Sequence, residues 1–188
     1  YTGELYSWGM AKYTGLDRET DVYTPQKIVI DDDTYLFRNA VIGKGGYHTL
    51  ALTLDGIVFG WGHNRVGQLA KLSNNVDGII IKLPFRIMEN VAEIDCGWGH
   101  SAIVDSSGDV FLMGRNVCGQ IGIDPDSCNH NDRGHSYVDE WTKVKLPTGF
   151  YIRQVMCGFE TTYIMGTFGK TDPKTHVFLF GNGTDGES

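Results

Sequence analysis

The chain has 188 residues, with 16 basic against 23 acidic side chains and a formal net charge of −7. That balance excludes a broad phosphate-binding surface, which needs clustered lysine and arginine, so nucleic acid is not an expected partner of this segment. No apolar stretch reaches the length of a membrane-spanning helix, since the run Ile79-Ile80-Ile81 stops at Lys82, and no membrane is expected as a partner.

In chain order, one short grammar recurs. Trp8-Gly9 closes a first strand, and Lys27 to Ile30 supplies another. Val41-Ile42 leads into the turn Gly43-Lys44-Gly45-Gly46-Tyr47-His48. Leu50, Leu52 and Leu54 then alternate with Thr49, Ala51 and Thr53, the period of two of a strand. Asp55-Gly56 is a hairpin signal, followed by Val58-Phe59-Gly60-Trp61-Gly62 and the loop Asn64 to Leu69 with Gly67-Gln68 at its centre. Ile79 to Leu83 is the next strand. The succession returns as Val91 to Ile94, Cys96-Gly97-Trp98-Gly99-His100, Ser101 to Val104, the Ser107-Gly108 turn, Val110 to Gly114, Asn116 to Gly122, and Thr142 to Leu146. A third round runs through Ile152 to Val155, Cys157-Gly158, Thr161 to Met165, Val177 to Gly181 and Gly186. Almost nothing reads as helix.

Register carries the argument. Trp8, Trp61 and Met113 are separated by 53 and 52 residues, and Gly45, Gly97 and Gly158 by 52 and 61. A period near fifty, each unit a few short strands, is the signature of an all-β propeller or similar array. The repeats are placed at 10–62, 63–114 and 115–181. About three four-stranded antiparallel blades plus a leading strand are too few for a closed ring, because propellers use roughly four to eight. The chain also starts without methionine and stops inside a motif, so it is expected to be part of a longer protein. The remaining blades would come from the same or another chain.

The string Cys-Gly-x-x-His, an alternating strand, a glycine turn, and Val-Phe-x-Trp-Gly-x-Asn-x-x-Gly-Gln-Leu resembles the regulator of chromosome condensation repeat, from Glu4 to Glu187. The resemblance implies a seven-bladed β-propeller of the kind found in exchange factors, ubiquitin-ligase subunits and adaptors. Thr161 departs from it in place of the turn histidine, as do Met113 and Phe180 in place of the tryptophan. Light-sensing relatives use clustered tryptophans paired with arginines. Here Trp8, Trp61, Trp98 and Trp141 are scattered, and Gly99 follows Trp98.

A residue repeated in every unit does the same job in each, which is seldom chemistry. Gly45, His48, Trp61, Gly62, Gly97, His100, Gly114, Gly158 and Gly181 are therefore read as framework. Recognition is expected where the repeat is broken, on loops carried by a rigid scaffold. Two insertions stand out, 124–140 on the face of the asparagine loops and 166–175 on the opposite face. The first holds Asp124, Asp126, Asp132, Asp139 and Glu140 against Arg133, which reads either as a solvated connector or as a docking loop for a basic partner. Asp126, His130, Arg133, His135 and Tyr137, with Lys170 and Asp172 of the second insertion, are the candidate partner-binding residues.

No catalytic, cofactor-binding or metal-binding residues are assigned. Cys118, Cys128, His130 and His135 lack the usual zinc spacing. Cys96 and Cys157 read as small core residues, and four unpaired cysteines suit an intracellular, cytoplasmic or nuclear, compartment. The expected function is a protein–protein interaction scaffold, not an enzyme in this segment, although the full-length protein could carry a catalytic domain. The alternative is guanine-nucleotide exchange on a Ran-type small GTPase, with the partner otherwise a subunit of a complex.

Overall fold

The computed structural model describes residues 3–31, 35–45, 47–70 and 80–182. They form four consecutive antiparallel sheets. The first holds β1 (Tyr6–Gly9) and β2 (Val22–Lys27). The second is a four-stranded blade of β3 (Phe37–Ile42), β4 (His48–Thr53), β5 (Val58–His63) and β6 (Ile80–Met88), hydrogen-bonded in chain order. The third contains β7 (Val91–Cys96), β8 (His100–Asp105), β9 (Val110–Arg115) and β11 (Ser136–Lys143), with the two-residue β10 (Asn129–His130) outside β11. The fourth holds β12 (Phe150–Cys157), β13 (Thr161–Phe168) and β14 (His176–Gly181). Among the described residues the second and third sheets thus have four and five strands, the fourth has three and the leading piece has two. No described helix is long and apolar enough to cross a membrane.

The cores lie between blades, not within them. Leu50, Leu52 and Val58 of the second sheet, with Leu69 of the loop after β5, meet Val91, Ile94, Cys96 and Ile103 of the third. Ala102, Val104 and Leu112 of the third meet Val155, Cys157 and Ile164 of the fourth. Period-two alternation therefore sends successive residues of one strand to two different interfaces: Ile103 faces back, Ala102 and Val104 forward. All six residues of β4 are buried for that reason, although only every second one is strongly apolar. Neighbouring sheets are also joined by hydrogen bonds. The Arg38 guanidinium donates to the carbonyls of Val91 and Ala92, and the Cys157 amide donates to the Asp95 carboxylate at 2.6 Å.

Two strand expectations shift. Of the run at Thr142 to Leu146 only Thr142 and Lys143 lie in a strand, at the end of β11, which begins at Ser136, and of Lys27 to Ile30 only Lys27 does, as the last residue of β2. β2 has no buried residue and β11 only Ser136, so the apolar signal marks only part of their length. Blade boundaries also fall elsewhere than the motif register suggests. The stretch 63–114 supplies β6 to the second sheet and β7 to β9 to the third.

Trp61, Met113 and Phe180 do occupy one register position, opposite Thr49, Ser101 and Thr162. Trp61 and Met113 are buried and Phe180 is half-buried. The Trp61 indole N–H donates to the Tyr13 carbonyl at 3.1 Å, tying the blade to the preceding segment.

Candidate functional site

The repeated polar residues form braces between blades. Ser101 Oγ donates to the Gln68 carbonyl at 2.7 Å and so accepts from His48 Nε2 at 3.1 Å. One blade on, Thr162 Oγ1 donates to the Gln120 carbonyl at 2.8 Å and accepts from His100 Nε2 at 3.1 Å. Both histidines are buried and neutral, with Nδ1 left unpartnered. Burial pushes His48 down to about 3, helped by repulsion from His100 and His63, and burial pushes His100 down to about 4.

The asparagine loops are closed by their own side chains. Asn64 accepts from the Leu69 amide and donates to the Ala70 carbonyl; Asn116 accepts from Ile121 and donates to Ile123. Gln68 and Gln120 accept from the amides of Val66 and Cys118. The loop, the next strand's hydroxyl and the previous blade's histidine make one unit. It is a strut without a reactive group exposed to substrate.

The turn glycine is Gly43, not Gly45. The Gly43 amide donates to the His48 carbonyl, as Gly97 does to His100 and Gly158 to Thr161. Four residues separate Gly43 from His48, against two in the other turns, so the 52-residue interval from Gly45 to Gly97 is coincidental. Gly45 instead lies against the Trp98 ring.

These struts hold an open cleft of about 280 Å³ where the second and third sheets meet. Its wall includes Tyr13, Tyr47, His63, Arg65, Trp98, Arg115, Arg133 and His135. Trp98 stacks on Phe159 at 5.1 Å between centroids, and the Arg115 guanidinium lies 4.6 Å from the Trp98 ring centroid. Arg115 also pairs with Glu160 at 3.3 Å and donates to His135 Nδ1 at 3.2 Å. Because arginine only donates, His135 carries its proton on Nε2. Burial, then the nearby Arg65 and Lys12, lower the pKa of His63, and Gln68 donates to its Nδ1 at 3.0 Å. Among the described residues the cleft is a cationic and aromatic recess.

The sequence profile of the Regulator of chromosome condensation (RCC1) repeat matches residues 44–68 and 91–120, ending at the equivalent glutamines Gln68 and Gln120. The chain belongs to the RCC1 repeat family. It is similar to the Ultraviolet-B receptor UVR8 of Arabidopsis thaliana, 36% identical over 127 residues, covering 65% of this chain and 28% of that protein. The human probable E3 ubiquitin-protein ligase HERC3 is 32% identical over 167 residues, covering 85% of this chain and 14% of that protein. The chain thus spans well under a third of the length of these curated relatives. Among solved structures, Prp20p of Saccharomyces cerevisiae, studied with its binding to Gsp1p and histones, superposes with a TM-score of 0.73 at 22% identity, over 93% of this chain and 39% of that one. At that identity the likeness shows the fold.

Within this RCC1 repeat chain the first insertion is a built hairpin and not a free connector. Asp124 caps the short turn Pro125–Ser127, and Asn131 Oδ1 accepts from the amides of Arg133 and His135 at the tip. Arg65 grips Asp132 with two 2.7 Å bonds, fastening the hairpin to the loop of the preceding blade. Of the residues expected there to bind a partner, the structure brings Arg133 and His135 into the cleft. Asp126 sits exposed on the short turn, His130 bonds Ser136, and Tyr137 pairs in register with Arg115 along β11. Cys118 donates to Glu160 and Cys128 accepts from Asn116. Lys170 and Asp172 lie at the far end of the molecule, beyond β13, with Lys170 5.7 Å from the Tyr151 ring and Asp172 closing its own turn on the Lys174 amide. That second hairpin is rooted by edge-on contacts of Phe150 with Phe168 and Phe178.

Arg115, Trp98, Tyr47 and His63 were not among the expected binding residues. A signal was present: Arg115 follows Gly114 just as His63 follows Gly62, so one register position feeds the cleft from each blade. Trp98 does pair with an arginine, one 17 residues further along the chain, so Gly99 following it excluded nothing.

Proposed function

We propose that this chain is the recognition part of a larger protein and that it holds a protein partner in the cleft between its second and third sheets. The observation that carries this reading is the wall itself: an aromatic platform ringed by arginines, two of them held in ion pairs, the composition enriched at binding hot spots. The framework below is fixed by buried braces, so the face is presented pre-organised. No residue of the segment is assigned chemistry. Similarity to the ligase HERC3 suits such a module, with any catalytic domain elsewhere in the full-length protein.

The test compares two variants of the full-length protein in a pull-down from cell extract, each matched to wild type for melting temperature. Trp98→Ala with Arg133→Gln is expected to lose at least about tenfold of the captured partner, the effect of removing one or two hot-spot residues. Lys170→Ala with Asp172→Ala, on the opposite face, is expected to change nothing. The reverse pattern would move the interface to the 166–175 hairpin and favour the second reading, a guanine-nucleotide exchange factor using that projection as a wedge. Accelerated nucleotide release from a Ran-type GTPase would then be the confirming measurement.

A further inference from the structure

A protein of net charge −7 places three arginines and no described carboxylate on the wall of this cleft. They are not equivalent. Arg115 is held by Glu160, Trp98 and His135, with only 12% of its side chain exposed. Arg65 is engaged with Asp132, whose own side chain is 70% exposed. Arg133, at the hairpin tip, has no described carboxylate within ion-pair distance. Between these cations lie Tyr13, Tyr47 and Trp98, with Tyr13 edge-on to Tyr47 at 5.7 Å.

We propose that the cleft binds an acidic peptide segment carrying an aromatic or large apolar side chain, with Arg133 and Arg65 taking carboxylates and Trp98 and Tyr47 covering the apolar group. This rests on the protein-binding role proposed for the same face and specifies the partner's chemistry. Three features select it. The cleft volume lies just under the ~300–1,000 Å³ usual for small-molecule sites, which suits one or two anchoring side chains. Arg65 already holds a carboxylate: one terminal nitrogen of its guanidinium lies 2.7 Å from both oxygens of Asp132. Asp132 is thus an internal stand-in for a ligand carboxylate, exposed enough to be displaced. Finally, a nucleic acid backbone requires a row of cations along its track, and here the three arginines ring a single recess within an acidic molecule.

Fluorescence anisotropy with the full chain tests this. The probe is a dye-labelled, blocked pentapeptide of four acidic residues around a central phenylalanine. Its amide counterpart, with asparagine and glutamine replacing the acids, and a single-stranded oligothymidylate serve as comparisons. The acidic peptide is expected to bind at least about tenfold more tightly than the amide peptide, and R133Q to weaken it by about tenfold, the usual effect of losing one charged hydrogen bond. D132N is expected to strengthen binding by about threefold by freeing Arg65, and the effect of salt to be marked. R153Q, beside Lys170 at the far end, is the control and should leave binding unchanged.

Equal binding of the amide peptide, full binding by R133Q, or tighter binding of the oligonucleotide overturns the proposal. If the acidic peptide fails while the Trp98–Arg133 variant still loses its captured protein, the interface stands and its assigned chemistry is wrong. If the captured protein is also unaffected, the interface itself is wrong.

Discussion

Replacing Gly97 by alanine is expected to destabilise the chain by about 3 kcal/mol, although it adds a single methyl group. The cause is occupancy and not backbone conformation, because Gly97 is absent from the positive-φ glycines. A Cβ there would overlap the His100 imidazole, which lies directly over the Gly97 backbone. The ring cannot simply tilt away, since it is fully buried and its Nε2 is bonded to Thr162. Accommodating the methyl group therefore means giving up the brace between the third and fourth sheets and repacking the space it filled. Gly114 is a different case: its φ is +105°, and a Cβ would also strike the Gly99 carbonyl.

A double-mutant cycle in urea separates these causes. Gly97→Ala and His100→Ala should each be costly alone, and the double variant should be no less stable than His100→Ala by itself, because the obstacle has gone. Additive costs would show that the ring is not what Gly97 makes room for.

The same pair shows what could and could not be read from sequence. Alternation in 49–54 and 101–104, the Asp55-Gly56 turn and the recurrence of His48 and His100 all report local or repeated constraints. They mark strands that the structure contains, and they single out two histidines that the structure shows hydrogen-bonded between blades. The turn glycine was misplaced at Gly45 because counting residues assumes equal turn lengths, and the first turn is two residues longer. The 124–140 insertion reads as an acidic connector or as a docking loop for a basic partner because composition counts Asp132 as a free charge. In space it is neutralised by Arg65, 67 residues earlier, and the tip that faces the cleft is Arg133. Arg115 was passed over for a related reason: its three side-chain partners lie 17, 20 and 45 residues away, and nothing local announces them. Repetition reveals the scaffold, whereas the cleft also draws on Trp98, Arg133 and His135, which the packing of blades brings beside the repeated positions.

The second large effect is a loss of stability in mild acid. His48 and His100 have folded pKa values of about 3 and about 4, both below the usual histidine value of 6.5 because burial disfavours the charged ring. Between those limits the unfolded chain binds protons that the folded chain refuses, so stability rises with pH and falls as pH drops below about 6.5. Well below that value each histidine contributes a slope of up to about 1.4 kcal/mol per pH unit until its folded pKa is reached. Glu93 acts in the opposite sense: burial raises its pKa, so the folded chain takes up its proton first and is favoured by acid.

Comparing wild type with H48Q/H100Q isolates the histidines, since glutamine can donate to Ser101 and Thr162 without titrating. Denaturant unfolding at intervals from pH 7.5 to about 4.5 is the measurement. Wild type is expected to show a steep decline through this range. The variant, less stable at pH 7.5 because glutamine fills the ring's space poorly, should decline much more gently. Equal slopes in the two proteins would assign the acid sensitivity to carboxylates or to His63 and remove His48 and His100 as its cause.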